Sequence, residues 1–240
     1  MDNIEPDPNA KYGPPSVASR KRVIELLRYD DPTTWDIPWK QNVTPWTKGT
    51  YHPSLREVVE DTGIEFPKGN EKRALVPGCG EGHDVIYITS TLGLRTTGLD
   101  ISQTAIERAT RQVCVVNSSP DVPKDLIDFQ VRDFFSLAAE TEGDKFDLIY
   151  DFTFFVAIHP SQRPEWGKQM AALIKPGGYL ITLVFPMETK SDVGPPWYLR
   201  PEHYDEPLAG HFVKVLDKVP EKLPTGWPEG RQHLLVWQRV

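Results

Sequence analysis

Three glycines at alternate positions mark the stretch that decides the fold, Leu75-Val76-Pro77-Gly78-Cys79-Gly80-Glu81-Gly82-His83-Asp84. A short apolar run leads into it, and a second apolar run ends in Gly98-Leu99-Asp100, 22 residues after Gly78. A strand that feeds a glycine-rich turn lets a ligand approach the backbone closely, because glycine has no Cβ. The following helix offers unpaired N–H groups, and a carboxylate about 20 residues further on can bind ribose hydroxyls. The pattern therefore predicts a nucleoside-binding site.

Strand-length apolar runs alternate with helical patterns from residue 72 onward. The predicted strands are 73–77, 95–100, 127–131, 146–151 and 178–185, and the predicted helices are 84–91, 102–116 (with Ser102 as N-cap) and 164–174. Two further runs, 211–219 and 232–240, lack a crossover helix between them and predict an antiparallel hairpin at the sheet edge. We therefore expect an α/β fold with a doubly wound, seven-stranded sheet that is mostly parallel.

The residues before this alternation predict an N-terminal extension of the same domain. Residues 1–15 hold four prolines and almost no apolar side chains, so we expect a flexible tail and not a signal peptide. Residues 16–29 predict an amphipathic helix with a basic outer face, and residues 53–61 predict a helix that ends at Gly63. Prolines interrupt the tryptophan-rich residues 35–46, which predicts a loop. The expected organisation is one domain over 16–240, with a helical and tryptophan-loop lid at 16–70 and an α/β core at 71–240.

Composition and charge indicate which kinds of partner the protein is expected to bind. The net charge of −7 disfavours nucleic acid, because phosphate binding needs a basic surface. The longest apolar run, at 152–158, is too short to span a bilayer, so we expect no membrane partner. Cys79 and Cys114 form no disulfide framework and lack the spacing of metal ligands, so we expect no metal. The expectation is a cytoplasmic protein, a monomer or weak homodimer, that acts on a small molecule.

The glycine spacing separates two classes of nucleoside ligand. Dinucleotide-binding domains favour G-x-G-x-x-G, whereas this chain has G-x-G-x-G with His83 where the third glycine would stand. A nicotinamide-dependent dehydrogenase is therefore the least favoured enzyme class. Asp133, after the third predicted strand, fits either an N-cap or a ligand contact. Three tryptophans in residues 35–46 fit either a lid packed on the core or an aromatic wall for a cation such as a sulfonium.

Several motifs together resemble the halide/thiol methyltransferase branch of the thiopurine methyltransferase superfamily. They are the tryptophan loop with Gly49 and residues 73–80, 98–102, 146–155, 163–166, 173–178 and 194–196. The resemblance runs from about Trp35 to the C-terminus. It implies a Rossmann-like class I methyltransferase fold, S-adenosyl-L-methionine as cofactor, S-adenosyl-L-homocysteine as product, and no metal.

The resemblance also implies roles for individual residues in binding the cofactor. These residues are Trp35, Trp39, Trp46, Gly78, Gly80, Asp100, Ile101, Asp133, Phe134 and Asp151. Methyltransferases commonly have an acid at the position of Val76, so other contacts must hold the methionine end of the cofactor here. Relatives often have a tyrosine at the position of Phe152. Loss of that hydroxyl disfavours a halide-like polar contact and favours a more apolar acceptor.

The acceptor side is expected to be aromatic, with Phe154, Phe155, Trp166 and Trp197 in the substrate pocket and Asp151, Phe152, His159 and Arg163 as catalytic candidates. A thiol has a pKa of about 8.5 and needs no strong base. We therefore expect methyl transfer to a small soft nucleophile: a thiol, hydrosulfide, thiocyanate or halide.

Three questions stay open on the acceptor side. Arg163 either holds an anionic substrate or begins a helix and pairs with Glu165 or solvent. His159, before a proline, is either a turn residue or, like Asp151, a base for an amine or hydroxyl acceptor. The alternatives to thiol methylation are an N- or O-methyltransferase of a secondary metabolite and a non-catalytic cofactor-binding module.

Overall fold

The computed structural model describes residues 17–28, 30–116, 122–139, 141–223 and 230–240. The tail expected at 1–15 lies outside them. The strands of the described part are β1 (Arg73–Pro77), β2 (Arg95–Asp100), β3 (Ile127–Val131), β4 (Phe146–Phe152), β5 (Ile174–Val184), β6 (Phe212–Lys218) and β7 (His233–Arg239). They form one sheet in the order β3-β2-β1-β4-β5-β7-β6. The pairs among β1 to β5 are parallel, and β7 pairs antiparallel with both β5 and β6. The predicted fold class is confirmed.

Helices connect the parallel strands and cover the sheet. They are α1 (Val17–Leu26), α2 (Asp36–Lys40), α3 (Pro53–Asp61), α4 (His83–Leu92), α5 (Gln103–Val116), α6 (Arg163–Leu173) and α7 (Asp205–Leu208). Alternate residues of each strand point to opposite faces, so Leu75 and Ile149 belong to one apolar core, whereas Val76 and Leu148 belong to the other. Within the described ranges, none of these helices has the length and apolar character to cross a membrane.

The loop predicted at residues 35–46 is wrong in part. Residues Pro32–Trp35 form a 3-10 turn, and Asp36–Lys40 form the short helix α2. Pro38 is the third residue of α2, where backbone N–H groups have no partner inside the helix, so a proline costs little there. A proline in the first turn is thus compatible with a helix that the sequence pattern did not predict.

One predicted boundary also moves. Strand β5 begins at Ile174, inside the segment predicted to end the preceding helix, because Ile174 pairs with Phe146 across a register shift. The remaining predicted elements are present with ends that differ by at most two residues, except that α1 ends at Leu26 and not at residue 29. Ser102 acts as predicted, since its Oγ accepts the Ala105 N–H at 3.0 Å.

The strand order creates a crevice at the carboxyl end of the sheet. The chain runs from β1 outward through β2 and β3, then returns to the opposite side of β1 to form β4 and β5. Ligands of doubly wound sheets bind at the point where the strand order reverses, here between β1 and its neighbours. Helix α2 lies beside this crevice, because Asp36 accepts hydrogen bonds from Ser102 Oγ at 2.6 Å and Thr104 N at 2.9 Å.

Candidate functional site

A cavity with a volume of about 680 Å³ opens at the carboxyl ends of the central strands. Its walls come from α1, the tryptophan segment (residues 35–46), the turns after β1, β2, β3 and β4, and residues 185–197. The structure brings most of the predicted site residues together on these walls: Trp35, Trp39, Trp46, Gly78, Asp100, Ile101, Asp133, Phe134, Phe152, Phe154, His159 and Trp197.

The glycine turn after β1 requires glycine for two physical reasons. Gly78, Gly80 and Gly82 have φ angles of +61°, +54° and +77°, in the left-handed region that other residues rarely adopt. A Cβ on Gly78 would also lie 2.9 Å from the Phe154 ring, and a Cβ on Gly80 would lie 3.3 Å from the Trp39 ring. The turn is therefore in close contact with aromatic side chains of two other segments.

Asp100 links this turn to the end of β2. Its Oδ2 accepts the Gly80 N–H at 3.1 Å, and its Oδ1 accepts the Ser102 N–H at 2.9 Å. The side chain lines the cavity yet is only 8% exposed, and this burial raises the pKa of Asp100 to about 6. A carboxylate offers about four lone-pair sites, so two remain after these bonds for hydroxyl donors in the cavity.

The far wall combines an acid with aromatic rings. Asp133 Oδ1 accepts the Phe135 N–H at 3.0 Å and so caps the 3-10 turn Phe134–Ser136. Asp133 nevertheless lines the cavity, so the capping and ligand-contact interpretations are compatible. The Phe134 ring packs edge-on against Phe154, with centroids 5.1 Å apart. This end of the cavity suits a flat aromatic ring with a polar edge.

The tryptophan segment is both packed and exposed to the cavity. The Trp46 ring meets Trp35 and Trp39 edge-on, with centroid distances of 5.6 Å and 5.8 Å. Trp39 is 2% exposed, and the Arg108 guanidinium lies 5.4 Å from its ring. The two interpretations from sequence thus coincide, since a packed lid also forms an aromatic wall.

A smaller cavity of about 60 Å³ adjoins the glycine turn, and Gly80 lies on this cavity. His52 and Asp84 lie on its wall, where the His52 N–H donates to Asp84 Oδ1 at 3.0 Å. Burial raises the pKa of Asp84 to about 6, and burial together with the Lys48 charge lowers the pKa of His52 to about 3. Sequence reasoning missed His52, Asp84 and Lys48. The signal for Asp84 was its place in the first turn of α4, directly after the glycines.

Asp151 does not reach the main cavity wall as expected. It is 1% exposed, and its two oxygens accept the Phe155 N–H at 3.1 Å and the Trp166 Nε1–H at 3.0 Å. Burial raises the pKa of Asp151 to about 6. Phe155 and Trp166, expected in the substrate pocket, are fully buried with ring centroids 4.6 Å apart, because α6 turns Trp166 toward the sheet. Asp151, Phe155 and Trp166 therefore pack together on the interior side of the turn after β4 and stabilise it.

Arg163 begins α6, as one of its two sequence interpretations states, but it neither pairs with Glu165 nor faces solvent. It is 8% exposed, donates from NH2 to the Tyr198 carbonyl at 2.9 Å, and lies 4.8 Å from the Phe155 ring centroid. Glu165 pairs instead with Lys168, at 3.5 Å. Arg163 is therefore a buried contact between α6 and the 194–200 segment, and it does not line the main cavity.

The remaining acceptor-side candidates do line the cavity. His159 caps a 3-10 turn, and its Nδ1 lies 2.7 Å from Ser161 Oγ. Its ring meets Trp197 edge-on at 4.7 Å between centroids. The Trp197 N–H donates to the Val156 carbonyl at 2.9 Å, which fixes the 194–200 segment over the turn after β4. Phe152 lies on both cavities.

Solved structures with the same fold include methyltransferases. A Burkholderia thailandensis 1,6-didemethyltoxoflavin-N1-methyltransferase, solved with its substrate and S-adenosylhomocysteine, matches with a TM-score of 0.59 and 20% identity, over 93% of this chain and 91% of that one. A Methanosarcina mazei S-adenosylmethionine-dependent methyltransferase matches with a TM-score of 0.57 and 17% identity, over 80% of this chain and 99% of that one. At these identities the likeness establishes the fold.

Sequence comparison finds relatives that are more similar to this chain than these solved structures are. Residues 30–233 match the family model for thiopurine S-methyltransferase. A probable thiol methyltransferase 2 of Arabidopsis thaliana is 36% identical over 222 residues, 92% of each chain. Thiocyanate methyltransferase 1 of Brassica oleracea is 36% identical over 208 residues, 86% of this chain and 84% of that one. This chain therefore belongs to the thiopurine S-methyltransferase family of S-adenosylmethionine-dependent methyltransferases.

Proposed function

We propose that this protein methylates a small soft nucleophile, with a thiol as the first choice and thiocyanate, hydrosulfide or halide as related acceptors. The observation that carries the proposal is the chemistry of the acceptor wall. Phe152, Phe154 and Trp197 provide aromatic surface there, whereas the Asp151 carboxylate is turned away and bonded to Phe155 and Trp166. Such a wall suits a nucleophile that is already reactive without a strong base. The names of the thiol and thiocyanate methyltransferase relatives agree with this choice.

The donor set fits S-adenosylmethionine. Asp100 has acceptor sites left for two ribose hydroxyls, and Asp133 with Phe134 offers a polar edge and a ring face for adenine. Gly78 lines the cavity without a side chain, so a ligand in the cavity can approach the backbone of the glycine turn closely. Trp35 and Trp46 present aromatic rings, which attract a cation lacking N–H donors.

We infer that the protein acts by alignment and water exclusion. When bound, S-adenosylmethionine supplies a methyl group on a sulfonium. Phe152 and Phe154 confine the acceptor beside the glycine turn, and Trp197 covers it. Holding two reactants in line supplies about 7–11 kcal/mol of the barrier. A thiol with a pKa near 8.5 is already partly ionised at neutral pH, and the apolar walls remove water from the thiolate.

A panel of acceptors tests this function. Purified protein, S-adenosylmethionine and single thiols, thiocyanate, hydrosulfide or iodide are incubated, and methylated product and S-adenosylhomocysteine are quantified. We expect stoichiometric product with thiols. Binding of S-adenosylhomocysteine without product from any acceptor in the panel would overturn methyl transfer to a soft nucleophile, and a further test with amine and hydroxyl acceptors would then separate an N- or O-methyltransferase from a non-catalytic cofactor-binding module.

An N- or O-methyltransferase is the second candidate, favoured by the position of His159 on the main cavity wall. For the thiol reaction, we expect His159→Ala to keep turnover within about tenfold of the wild type. Removal of a true general base costs about 10²–10⁴-fold. A loss of that size in kcat with an amine or hydroxyl acceptor, with S-adenosylhomocysteine affinity unchanged, would support proton abstraction by His159 from that acceptor.

We also infer how the chain is organised and with what it works. Residues 16–240 act as one domain, in which 16–70 serve as the lid over the 71–240 core. The partner is a small-molecule acceptor in the cytoplasm, and neither nucleic acid nor membrane takes part. Size-exclusion chromatography with light scattering tests the expected monomer or weak homodimer.

A further inference from the structure

The smaller cavity continues the main one along the glycine turn. Gly78, Phe152 and Thr153 line both, so the two spaces share a wall. Asp100 and Asp133 line the main cavity and are absent from the walls of the smaller one. A ligand whose ribose binds Asp100 would therefore extend its opposite end past Gly78 toward the smaller cavity.

Val76 makes part of the floor of this smaller cavity apolar. It lies near the carboxyl end of β1, is 4% exposed, and carries no charge that could face a polar ligand. Asp84 is nearby, but it accepts the His52 N–H, and its burial raises the pKa of the carboxyl to about 6. Glu81 also lines this cavity, 3.6 Å from the His83 ring nitrogen, so the positive charge that an anionic ligand needs must come from another part of the wall.

Lys48 supplies a positive charge on that wall. It lines both cavities, directly after the tryptophan segment, and is partly buried. Its Nζ donates to the Pro45 carbonyl at 3.1 Å, which orients the ammonium group. An ammonium carries a full positive charge on a group with N–H donors alone, so it attracts an anion that enters the cavity.

We propose that Lys48 binds the methionine carboxylate of S-adenosylmethionine, a role that rests on the proposed function of the main cavity. The carboxylate is the part of the cofactor that carries negative charge, and it lies at the end opposite the adenine. A hydrogen bond between two ionised groups in a partly buried site is about twice as strong as a neutral one. Lys48 thereby fixes how far the cofactor enters, and so where its sulfonium stands relative to Phe152 and Phe154.

The test compares two ligands that differ only in the carboxylate. Isothermal titration measures the affinity of full-length wild type, Lys48→Met and Lys48→Arg for S-adenosylhomocysteine and for its decarboxylated form. We expect Lys48→Met to weaken S-adenosylhomocysteine about ten- to hundredfold and to leave affinity for the decarboxylated form unchanged. Lys48→Arg restores most of the loss, because a cation is present again.

Lys68→Met is the matched control, since Lys68 is exposed and lies on neither cavity wall. Thermal melting confirms that each variant is folded. Equal weakening of both ligands by Lys48→Met, or no weakening of either, overturns the role of Lys48 while the proposed function stands. A wild type that binds neither ligand overturns the proposed function itself.

Discussion

We expect Asp100 to make cofactor binding sensitive to pH. Burial raises its pKa to about 6, so the carboxyl gains a proton and loses acceptor sites as pH falls through that value. We expect S-adenosylhomocysteine affinity to decrease between about pH 7 and about pH 5. Asp100→Asn should lower affinity at neutral pH about ten- to hundredfold, because its amide N–H faces the N–H groups of Gly80 and Ser102.

Isothermal titration across this pH range checks the prediction for Asp100. Asp128→Asn is the control, since Asp128 is exposed on β3. If the Asp100→Asn variant retains the full pH dependence of binding, another carboxyl is responsible for it. Asp84 is then the candidate, because its pKa is similarly raised.

Trp166 stabilises the buried carboxylate of Asp151 through its indole N–H. Its Nε1–H donates to buried Asp151, so Trp166→Phe keeps an aromatic ring and leaves one oxygen without this donor. We expect a loss of about 1–3 kcal/mol in the free energy of unfolding at neutral pH. Removing the donor raises the pKa of Asp151 further, so the folded state holds its proton more tightly and the loss shrinks as pH falls.

Urea denaturation at about pH 7 and about pH 5 measures the Trp166 effect. Trp166→Phe in an Asp151→Asn background completes a double-mutant cycle. If the two substitutions add independently, the hydrogen bond is not the source of the loss.

At the scale of elements, Asp36 joins α2 to the first turn of α5. Partial burial alone would raise its pKa, but hydrogen bonds from Lys40, Ser102 and Thr104 hold the pKa well below its usual range. Asp36→Ala should therefore cost about 0.5–2 kcal/mol of unfolding free energy at neutral pH. This contribution is present above the unfolded pKa and is lost as pH falls through the lower folded one.

Denaturation of Asp36→Ala should be paired with a binding measurement. Because α2 carries Trp39 on the cavity wall, S-adenosylhomocysteine affinity should also decrease. Lys40→Ala is the control, since it removes only the ion pair of an exposed lysine with Asp36 and leaves the contact between Asp36 and α5 in place. An effect of equal size in both variants would show that the contact with α5 contributes nothing.

Sequence reasoning succeeded where local chemistry determines the element and failed where tertiary contacts do. The glycine turn and the Ser102 cap follow from short-range geometry, so both were predictable. Helix α2 was missed because its stability comes from Asp36 bonds to α5, 66 and 68 residues away in the chain. The burial of Arg163 was unpredictable for the same reason, since its partner Tyr198 belongs to a distant loop.

At the scale of the whole molecule, the fold and family follow from the alternation of strands and helices and from the motif set. The cavity was predictable as a location, because parallel strands meet at one edge of the sheet. The division into a larger and a smaller cavity was not predictable. Residues 46–53, which line the smaller cavity together with the glycine turn, are distant from that turn in the sequence and lie beside it only in the folded structure.

Binding should stabilise the entire domain. A ligand at about one hundred times its Kd adds about 2.7 kcal/mol to the free energy of unfolding. For a chain of this size, we expect S-adenosylhomocysteine to raise Tm by about 5–10 °C. Thermal melting measures this shift, and NADH at the same concentration should produce none. A larger rise in Tm with NADH than with S-adenosylhomocysteine would contradict the interpretation of the glycine turn as part of an S-adenosylmethionine site.

The walls of the main cavity come from separate stretches of chain. The turns after β1, β2 and β3 carry the residues that we propose for cofactor binding, whereas α1, Pro186 and residues 194–197 line the part of the cavity that we propose for the acceptor. Changes in acceptor preference can therefore accumulate in one stretch while the cofactor contacts stay fixed. For protein engineering, libraries confined to 186–197 can be screened for new methyl acceptors without rebuilding the part of the enzyme that recognises the methyl donor.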